Sequence, residues 1–62
     1  MENKTIGDEI LDFRARHRIS QREFASRAGV TLQTVYSIEN GLQKPSKVTE
    51  RKIRLVFEQE GE

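Results

Sequence analysis

Residues 20–46 read SQREFASRAGVTLQTVYSIENGLQKPS and contain two short helical patterns separated by a glycine. Ser20 and Glu23 match a capping box, in which Glu23 reaches back to residue 20, so a helix is expected to begin at the residue after Ser20. Gly29 ends this helix, because glycine readily takes the left-handed conformation that a sharp turn requires. Ala25 supplies the small side chain that two helices need where they meet across such a turn. The segment therefore predicts a short helix, a tight turn and a second short helix.

The second helix of this pair is expected to run from about Leu32 to Asn40. Thr31 is placed to cap its start and Gly41 to stop it. Three apolar side chains recur at helical spacing and are expected to face the core, namely Val35, Ile38 and Leu42. The preceding helix and the turn add Phe24, Ala28 and Val30 to this inward set.

Two further helices flank the pair. In the first, Ile6, Ile10 and Phe13 share one face, and Thr5 with Asp8 supplies a cap, which predicts a helix from about residue 6 to residue 17.

The fourth helix follows Pro45, which cannot continue a helix from its interior, and either Ser46 or Thr49 can cap it. Its inward side chains are expected to be Ile53, Val56 and Phe57. No segment alternates apolar and polar residues long enough to indicate a strand. The predicted fold class is all-α, a compact bundle of four short helices that contains a helix-turn-helix.

The chain has 62 residues, no cysteine and one histidine, His17. This length allows one domain, expected to span residues 1–62 with a core over about 6–58 and frayed acidic ends. Without cysteine there is no thiolate nucleophile, and one histidine makes a histidine-based metal cage implausible. No carboxylate pair, nucleophile with its base, or phosphate loop is visible. The sequence predicts a protein that is not an enzyme and uses no metal, cofactor or small-molecule substrate.

The apolar runs are short. The longest, residues 55–57, is far below the ~20 residues that span a bilayer, and the start of the chain lacks the apolar core of a signal peptide. We expect a cytoplasmic protein with no membrane contact.

Positive charge is concentrated in two blocks, although the net charge is only +1. Residues 14–27 hold five arginines and one glutamate, and residues 44–54 hold five basic residues and one glutamate. Both ends are acidic. Clustered cations suit a polyanion approached from one side, but a solvated helix surface would have the same composition. Charge alone leaves both interpretations open.

The segment resembles the phage lambda-repressor and Cro family, whose bacterial members are often called Xre-like regulators. The resemblance covers roughly residues 6–57. The matching elements are Gln21, Ala25, Gly29-Val30-Thr31, Ile38-Glu39-Asn40-Gly41 and Pro45-Ser46. It implies a compact all-α DNA-binding domain of four or five helices.

The resemblance also implies roles for individual residues. Bases would be read by Leu32, Gln33 and Ser37, and phosphates would be bound by Gln21, Thr31 and Asn40. On a helical wheel, Gln33, Tyr36, Ser37 and Asn40 lie 100° to 200° from Val35, on the face expected to point outward. Residue chemistry adds Thr34 as a base-reading residue, because its methyl group can meet a thymine methyl. Residue chemistry also adds three further phosphate contacts, Tyr36, Lys44 and Ser46.

Two other features follow from the family pattern. Arg14 and Glu39 match a partly buried ion pair that ties the first helix to the third. Glu50 and Arg54 stand where the family usually has apolar or small residues.

Val48 and Leu55 can form a second apolar stripe on the fourth helix, facing away from the core. Because family members usually bind paired half-sites, this stripe is a candidate contact for a homodimer on a two-fold symmetric operator.

The sequence therefore predicts a sequence-specific, double-stranded DNA-binding transcriptional regulator of a phage or bacterium. It would be a repressor that inserts its third helix into the major groove and blocks polymerase. An acidic patch that touches RNA polymerase would instead allow activation. The alternative is a protein-interaction module on the same fold, such as an antitoxin, that uses its fourth helix and acidic ends to hold another protein.

Overall fold

The computed structural model describes residues 4–60 and contains four α-helices. They are α1 (Ile6–His17), α2 (Gln21–Ala28), α3 (Leu32–Glu39) and α4 (Lys47–Glu60). Neither a strand nor a fifth helix occurs among residues 4–60, and the all-α prediction is confirmed. The frayed ends predicted from the sequence include residues 1–3 and 61–62, which lie outside the described residues.

Hydroxyl side chains cap the helix starts. Thr5 Oγ1 accepts a hydrogen bond from the Asp8 N–H at 3.1 Å, and Asp8 Oδ2 accepts one from the Thr5 N–H at 3.2 Å. The hydroxyls of Thr31 and Ser46 likewise accept the N–H three residues further on, at the starts of α3 and α4. Each such cap stabilises a helix by about 1 kcal/mol.

The start of α2 differs from the prediction in one respect. Ser20 Oγ accepts from the Glu23 N–H at 3.0 Å, as expected. The Glu23 carboxylate, however, accepts from Arg27 Nε at 3.1 Å, so the reciprocal bond to residue 20 was predicted wrongly. An arginine four residues along the helix offers this carboxylate a full positive charge, which a backbone N–H does not.

In the described part of the chain, three residues adopt the left-handed conformation at helix ends. Gly29 has φ 75° after α2 and Gly41 has φ 72° after α3, so both glycines stop their helices as predicted. The third is Arg18, with φ 55° and ψ 49°, at the end of α1. This conformation costs a residue with a Cβ roughly 1–2 kcal/mol.

The hydrophobic core is formed by all four helices. Three phenylalanines, from α1, α2 and α4, meet in it with ring centroids 5.4 to 6.1 Å apart: Phe13, Phe24 and Phe57. The fully or nearly buried apolar side chains are Ile10, Phe13, Phe24, Ala25, Ala28, Val35, Ile38, Ile53 and Val56. Ile6, Val30 and Phe57 are partly buried against them.

Leu42 was expected to share the inward face of α3, and this expectation is wrong. Its side chain is 68% exposed. The reason is that α3 ends at Glu39, and the left-handed Gly41 redirects the chain before Leu42 can complete the helical face. The helix ends one residue earlier than the sequence suggested.

The α1 and α3 helices approach each other closely at Gly7. A Cβ placed on Gly7 would lie 2.5 Å from the carbonyl oxygen of Ile38, near the end of α3. Because α3 also packs against α2, it is enclosed on two sides. This double packing determines which side chains of α3 remain accessible.

The charged residues of α4 that depart from the family pattern lie on the surface. Arg54 Nε donates to Glu50 Oε2 at 3.0 Å, and Arg54 Nη1 donates to Glu9 Oε1 of α1 at 3.3 Å. These residues therefore link α4 to α1 without entering the core.

Candidate nucleic-acid interface

The α2 and α3 helices meet across a tight turn. Ala25 is 4% exposed, and its carbonyl oxygen accepts from the N–H groups of Gly29 at 2.9 Å and Val30 at 3.0 Å. These bonds satisfy the end of α2 while the chain reverses direction, and Thr31 then caps α3. The geometry is that of a helix-turn-helix, as the sequence predicts.

One arc of α3 is accessible to solvent. With Val35 at zero and 100° per residue, the exposed side chains fall between about 60° and 160°. In order around the helix these are Leu32, Tyr36, Asn40 and Gln33. Leu32 is 41% exposed and Tyr36 48% exposed. We call this set the exposed arc.

Ser37 lies outside the exposed arc. It is only 4% exposed, so its expected position on the outward face is wrong. The helical wheel placed it opposite Val35, but α3 packs against both α1 and α2, and the buried side of the helix is wider than one apolar stripe. A buried hydroxyl at this position cannot reach a base edge.

Thr34 lies at the border of the buried side. It is partly buried, and its hydroxyl is 2.8 Å from that of Thr31, so the two side chains face each other at the helix start. The accessible part of α3 therefore presents Leu32, Gln33 and Tyr36, but neither Thr34 nor Ser37 stands within the arc.

A carboxylate network joins the bundle behind this surface. Glu39, whose side chain is 4% exposed, accepts from Arg14 Nε at 2.8 Å and from Arg14 Nη2 at 2.9 Å. Gln21 Nε2 donates to the same carboxylate at 2.8 Å. Arg14 Nη1 also donates to the carbonyl oxygen of Ile19 at 3.2 Å. The hydrogen bonds from Arg14 to the Glu39 carboxylate raise the pKa of the guanidinium above its ordinary value, although partial burial of the guanidinium opposes this shift.

This network links four parts of the chain. Arg14 lies in α1 and Ile19 in the following turn. Gln21 is the first residue of α2, and Glu39 is the last residue of α3. The expected contact between Arg14 and Glu39 is present, and it is bidentate. Sequence reasoning missed the Gln21 amide as a third partner, because residues 18 apart in sequence give no local signal of contact.

The candidate phosphate-binding side chains are partly engaged within the protein. One N–H of the Gln21 amide is used by Glu39, and the amide group carries a second. Asn40 Nδ2 donates to the Tyr36 carbonyl oxygen at 2.8 Å, at the end of α3. Both amides are thereby held in fixed orientations at the surface.

The remaining candidates lie at helix starts and in the loop before α4. Thr31 and Ser46 are exposed residues, and their hydroxyl oxygens cap the starts of α3 and α4. Lys44 is exposed in the loop between α3 and α4.

The two residues of the candidate dimer contact, Val48 and Leu55 on α4, are 66% and 43% exposed.

Ion pairing divides the cations into two groups. Four are paired with carboxylates, namely Lys4, Arg14, Arg27 and Arg54. The second group forms no salt bridge within residues 4–60, and its members are Arg16, Arg18, Arg22, Lys44, Lys47, Arg51 and Lys52. The first three of these surround the junction of α1 and α2, next to Gln21. Beside the helix-turn-helix, therefore, three arginines form no salt bridge with any carboxylate of residues 4–60.

Residues 4–60 contain neither a cluster of metal-ligating side chains nor a membrane-spanning helix. Acidic and histidine side chains do not gather there in any group of three that could hold a metal ion. None of the four helices is both long and apolar enough to cross a membrane.

Comparison with known proteins agrees with this geometry. A family model described as helix-turn-helix matches residues 10–55. An uncharacterized HTH-type transcriptional regulator from Archaeoglobus fulgidus is 40% identical over 48 residues, which cover 77% of this chain and 68% of the relative. No solved structure gives a significant match. The segment matched by the family model contains the turn at Gly29, the exposed arc and the Arg14–Glu39 pair. The chain belongs to the lambda-repressor-like, or Xre-type, helix-turn-helix family.

Proposed function

We propose that this domain is a transcriptional regulator that binds double-stranded DNA by placing α3 in the major groove. The observation that carries the proposal is the exposed arc, an accessible helix face with both polar and apolar side chains directly after the tight turn. The name of the Archaeoglobus relative supports the same class of function. A major groove about 12 Å wide admits one α-helix, whose diameter with its side chains is about 10–12 Å.

Base reading is assigned to three side chains of the exposed arc. Gln33 can bond bidentately to adenine N6 and N7, which discriminates against other bases by about 1–3 kcal/mol. Leu32 offers methyl groups to a thymine methyl. Tyr36, one helical turn after Leu32, projects from the middle of the arc and presents both a ring and a hydroxyl. Tyr36 thus takes the place in base reading that the burial of Ser37 leaves open.

Phosphate binding is assigned to side chains around the edge of the arc. Gln21 can donate its second amide hydrogen to a phosphate, while Glu39 fixes the first. Asn40, Thr31 and Lys44 would add further backbone contacts. Such contacts fix the register of a protein on the duplex without selecting its sequence.

The proposed active form is a homodimer on a two-fold symmetric operator. Val48 and Leu55 are seven residues apart on α4, which places these exposed apolar side chains on the same face of the helix. Lys52 lies three positions before Leu55 in the sequence, and Glu58 lies three positions after it. An antiparallel pairing of two α4 helices about Leu55 would therefore place Lys52 of each copy opposite Glu58 of the other.

The regulatory role we propose is repression by a phage or bacterial protein. A dimer bound across two half-sites would occupy DNA that RNA polymerase needs. This outcome requires no contact with polymerase itself.

Selection from random-sequence duplexes tests the proposed function. Bound DNA is sequenced after selection at 50 mM and 200 mM salt, since contacts to phosphates weaken as salt rises. We expect a roughly palindromic motif and salt-sensitive affinity. Gln33→Ala should relax one base position in each half-site, whereas Gln59→Ala, an exposed glutamine on α4, should leave the motif unchanged. Weak, uniform binding without a motif would refute the proposal and favour the protein-interaction module.

Sedimentation tests the dimer separately. Leu55 and Leu11 are both 43% exposed, so Leu55→Lys and Leu11→Lys add the same charge at equal exposure. We expect Leu55→Lys alone to shift the protein towards monomer while circular dichroism stays helical. A monomer–dimer balance identical in the parent and both variants would refute the assignment to α4.

A further inference from the structure

Arg18 combines an unfavourable backbone conformation with an exposed cationic side chain. Within residues 4–60 it is the one residue other than glycine with a positive φ. At the ends of α2 and α3 the same conformation is occupied by glycine. Residues with a Cβ persist in this region only when their surroundings impose it, and such residues are frequent at functional sites.

The backbone around Arg18 is held on both sides. The N–H of Arg18 donates to the Arg14 carbonyl oxygen, and the N–H of Ile19 donates to the same oxygen at 3.1 Å. Arg14 Nη1 in turn donates to the Ile19 carbonyl oxygen at 3.2 Å. Ile19 also packs against the core. The side chain of Arg18 therefore leaves a fixed turn and points into solvent.

The position of this turn places Arg18 near the proposed phosphate contacts. Gln21 is three positions further along the chain, so the Cα atoms of Arg18 and Gln21 are at most about 11 Å apart. Gln21 is itself fixed by its bond to Glu39 at the end of α3. Arg18 also lies between Arg16 and Arg22, and no salt bridge involves any of the three within the described residues.

We propose that Arg18 binds a DNA phosphate beside Gln21, at the edge of the groove that α3 enters. This inference rests on the proposed function and adds a binding residue to it. A guanidinium can bond a phosphate bidentately, and the fixed turn holds it in place before DNA arrives.

The test compares three variants by their affinity for a random-sequence duplex at 50, 100 and 200 mM salt. Arg18→Gly removes the cation and suits the left-handed turn, Arg18→Lys keeps the charge, and Arg51→Gln removes one exposed cation from α4 as a control of equal net charge. Losing one phosphate contact should reduce the salt slope by about 0.9 and the affinity about 8-fold at 100 mM salt. Arg18→Lys should recover most of that slope.

Thermal melting separates lost contact from lost fold. Arg18→Gly should melt at or above the temperature of the parent, because glycine carries no penalty in this conformation. Equal slopes for the parent and Arg18→Gly, or equal losses in Arg18→Gly and Arg51→Gln, would overturn the proposal while leaving the proposed function intact. A parent protein that binds no duplex in this titration would overturn both.

Discussion

Replacing Arg14 by methionine should destabilise the domain strongly, because it removes two of the three side-chain hydrogen bonds to a nearly buried carboxylate. Glu39 is 4% exposed at its side chain and would keep only the bond from Gln21. Breaking a buried pair by removing one partner costs about 3–5 kcal/mol. Since Arg14 itself is 20% exposed and the Gln21 bond remains, we expect a loss near the lower end, about 3 kcal/mol.

That loss is large for a chain of this length. A domain of 62 residues has a total free energy of unfolding of about 3–9 kcal/mol. With a urea slope of about 1 kcal/mol per molar, the midpoint should fall by about 3 M. Urea unfolding followed by circular dichroism at 222 nm measures this directly.

A double variant distinguishes a stranded charge from lost packing. In Arg14→Met combined with Glu39→Met, no charge is left without its partner, so stability should recover most of the loss. Two results would refute the reasoning. One is an Arg14→Met midpoint within about 0.5 M of the parent. The other is a double variant whose loss of unfolding free energy exceeds the sum of the losses in the two single variants.

Three further predictions concern the backbone and the surface. Gly7→Ala should lose about 2 kcal/mol, because its Cβ would meet the Ile38 carbonyl oxygen at 2.5 Å, and thermal melting would show this as a lower midpoint. Gly29→Ala should lose about 1 kcal/mol by backbone strain alone, since nothing lies within 4 Å of its Cβ position, and a loss larger than that of Gly7→Ala would contradict both explanations. The bond and the charge of Lys4 lower the pKa of Asp12, so this pair stabilises the native state above the unfolded-state pKa and the effect disappears as pH falls through the folded-state pKa. Carboxyl titration by NMR should find the Asp12 pKa below its ordinary value in the parent and closer to that value in Lys4→Gln.

The helices were predictable because their signals are local. Hydroxyl residues at Thr5, Ser20 and Thr31 and glycines at Gly29 and Gly41 determine five of the starts and stops through bonds spanning three to five residues. Such signals can be read from a short window of sequence. The buried apolar positions followed from helical spacing in the same way.

The errors arose where packing between helices decides the outcome. The burial of Ser37 depends on α1 and α2 together enclosing α3, and the exposure of Leu42 depends on one residue of helix length. The close approach at Gly7 also depends on packing between helices, and its local signal is only a glycine inside a predicted helix. The predicted end of the first helix at residue 17 likewise does not indicate the positive φ of Arg18.

The burial of Ser37 also bears on why the proposed regulator would need two copies. The exposed arc contains one base-reading amide, Gln33, beside side chains that offer mainly apolar contact, Leu32 and Tyr36. One bidentate contact provides about 1–3 kcal/mol of discrimination, whereas specific regulators exceed their non-specific affinity by about 4–10 kcal/mol. Two half-sites double this discrimination to about 2–6 kcal/mol, and the upper part of that interval reaches the range of specific regulators. A monomeric Leu55→Lys variant should therefore keep salt-sensitive binding to any duplex while losing its preference for a palindromic motif.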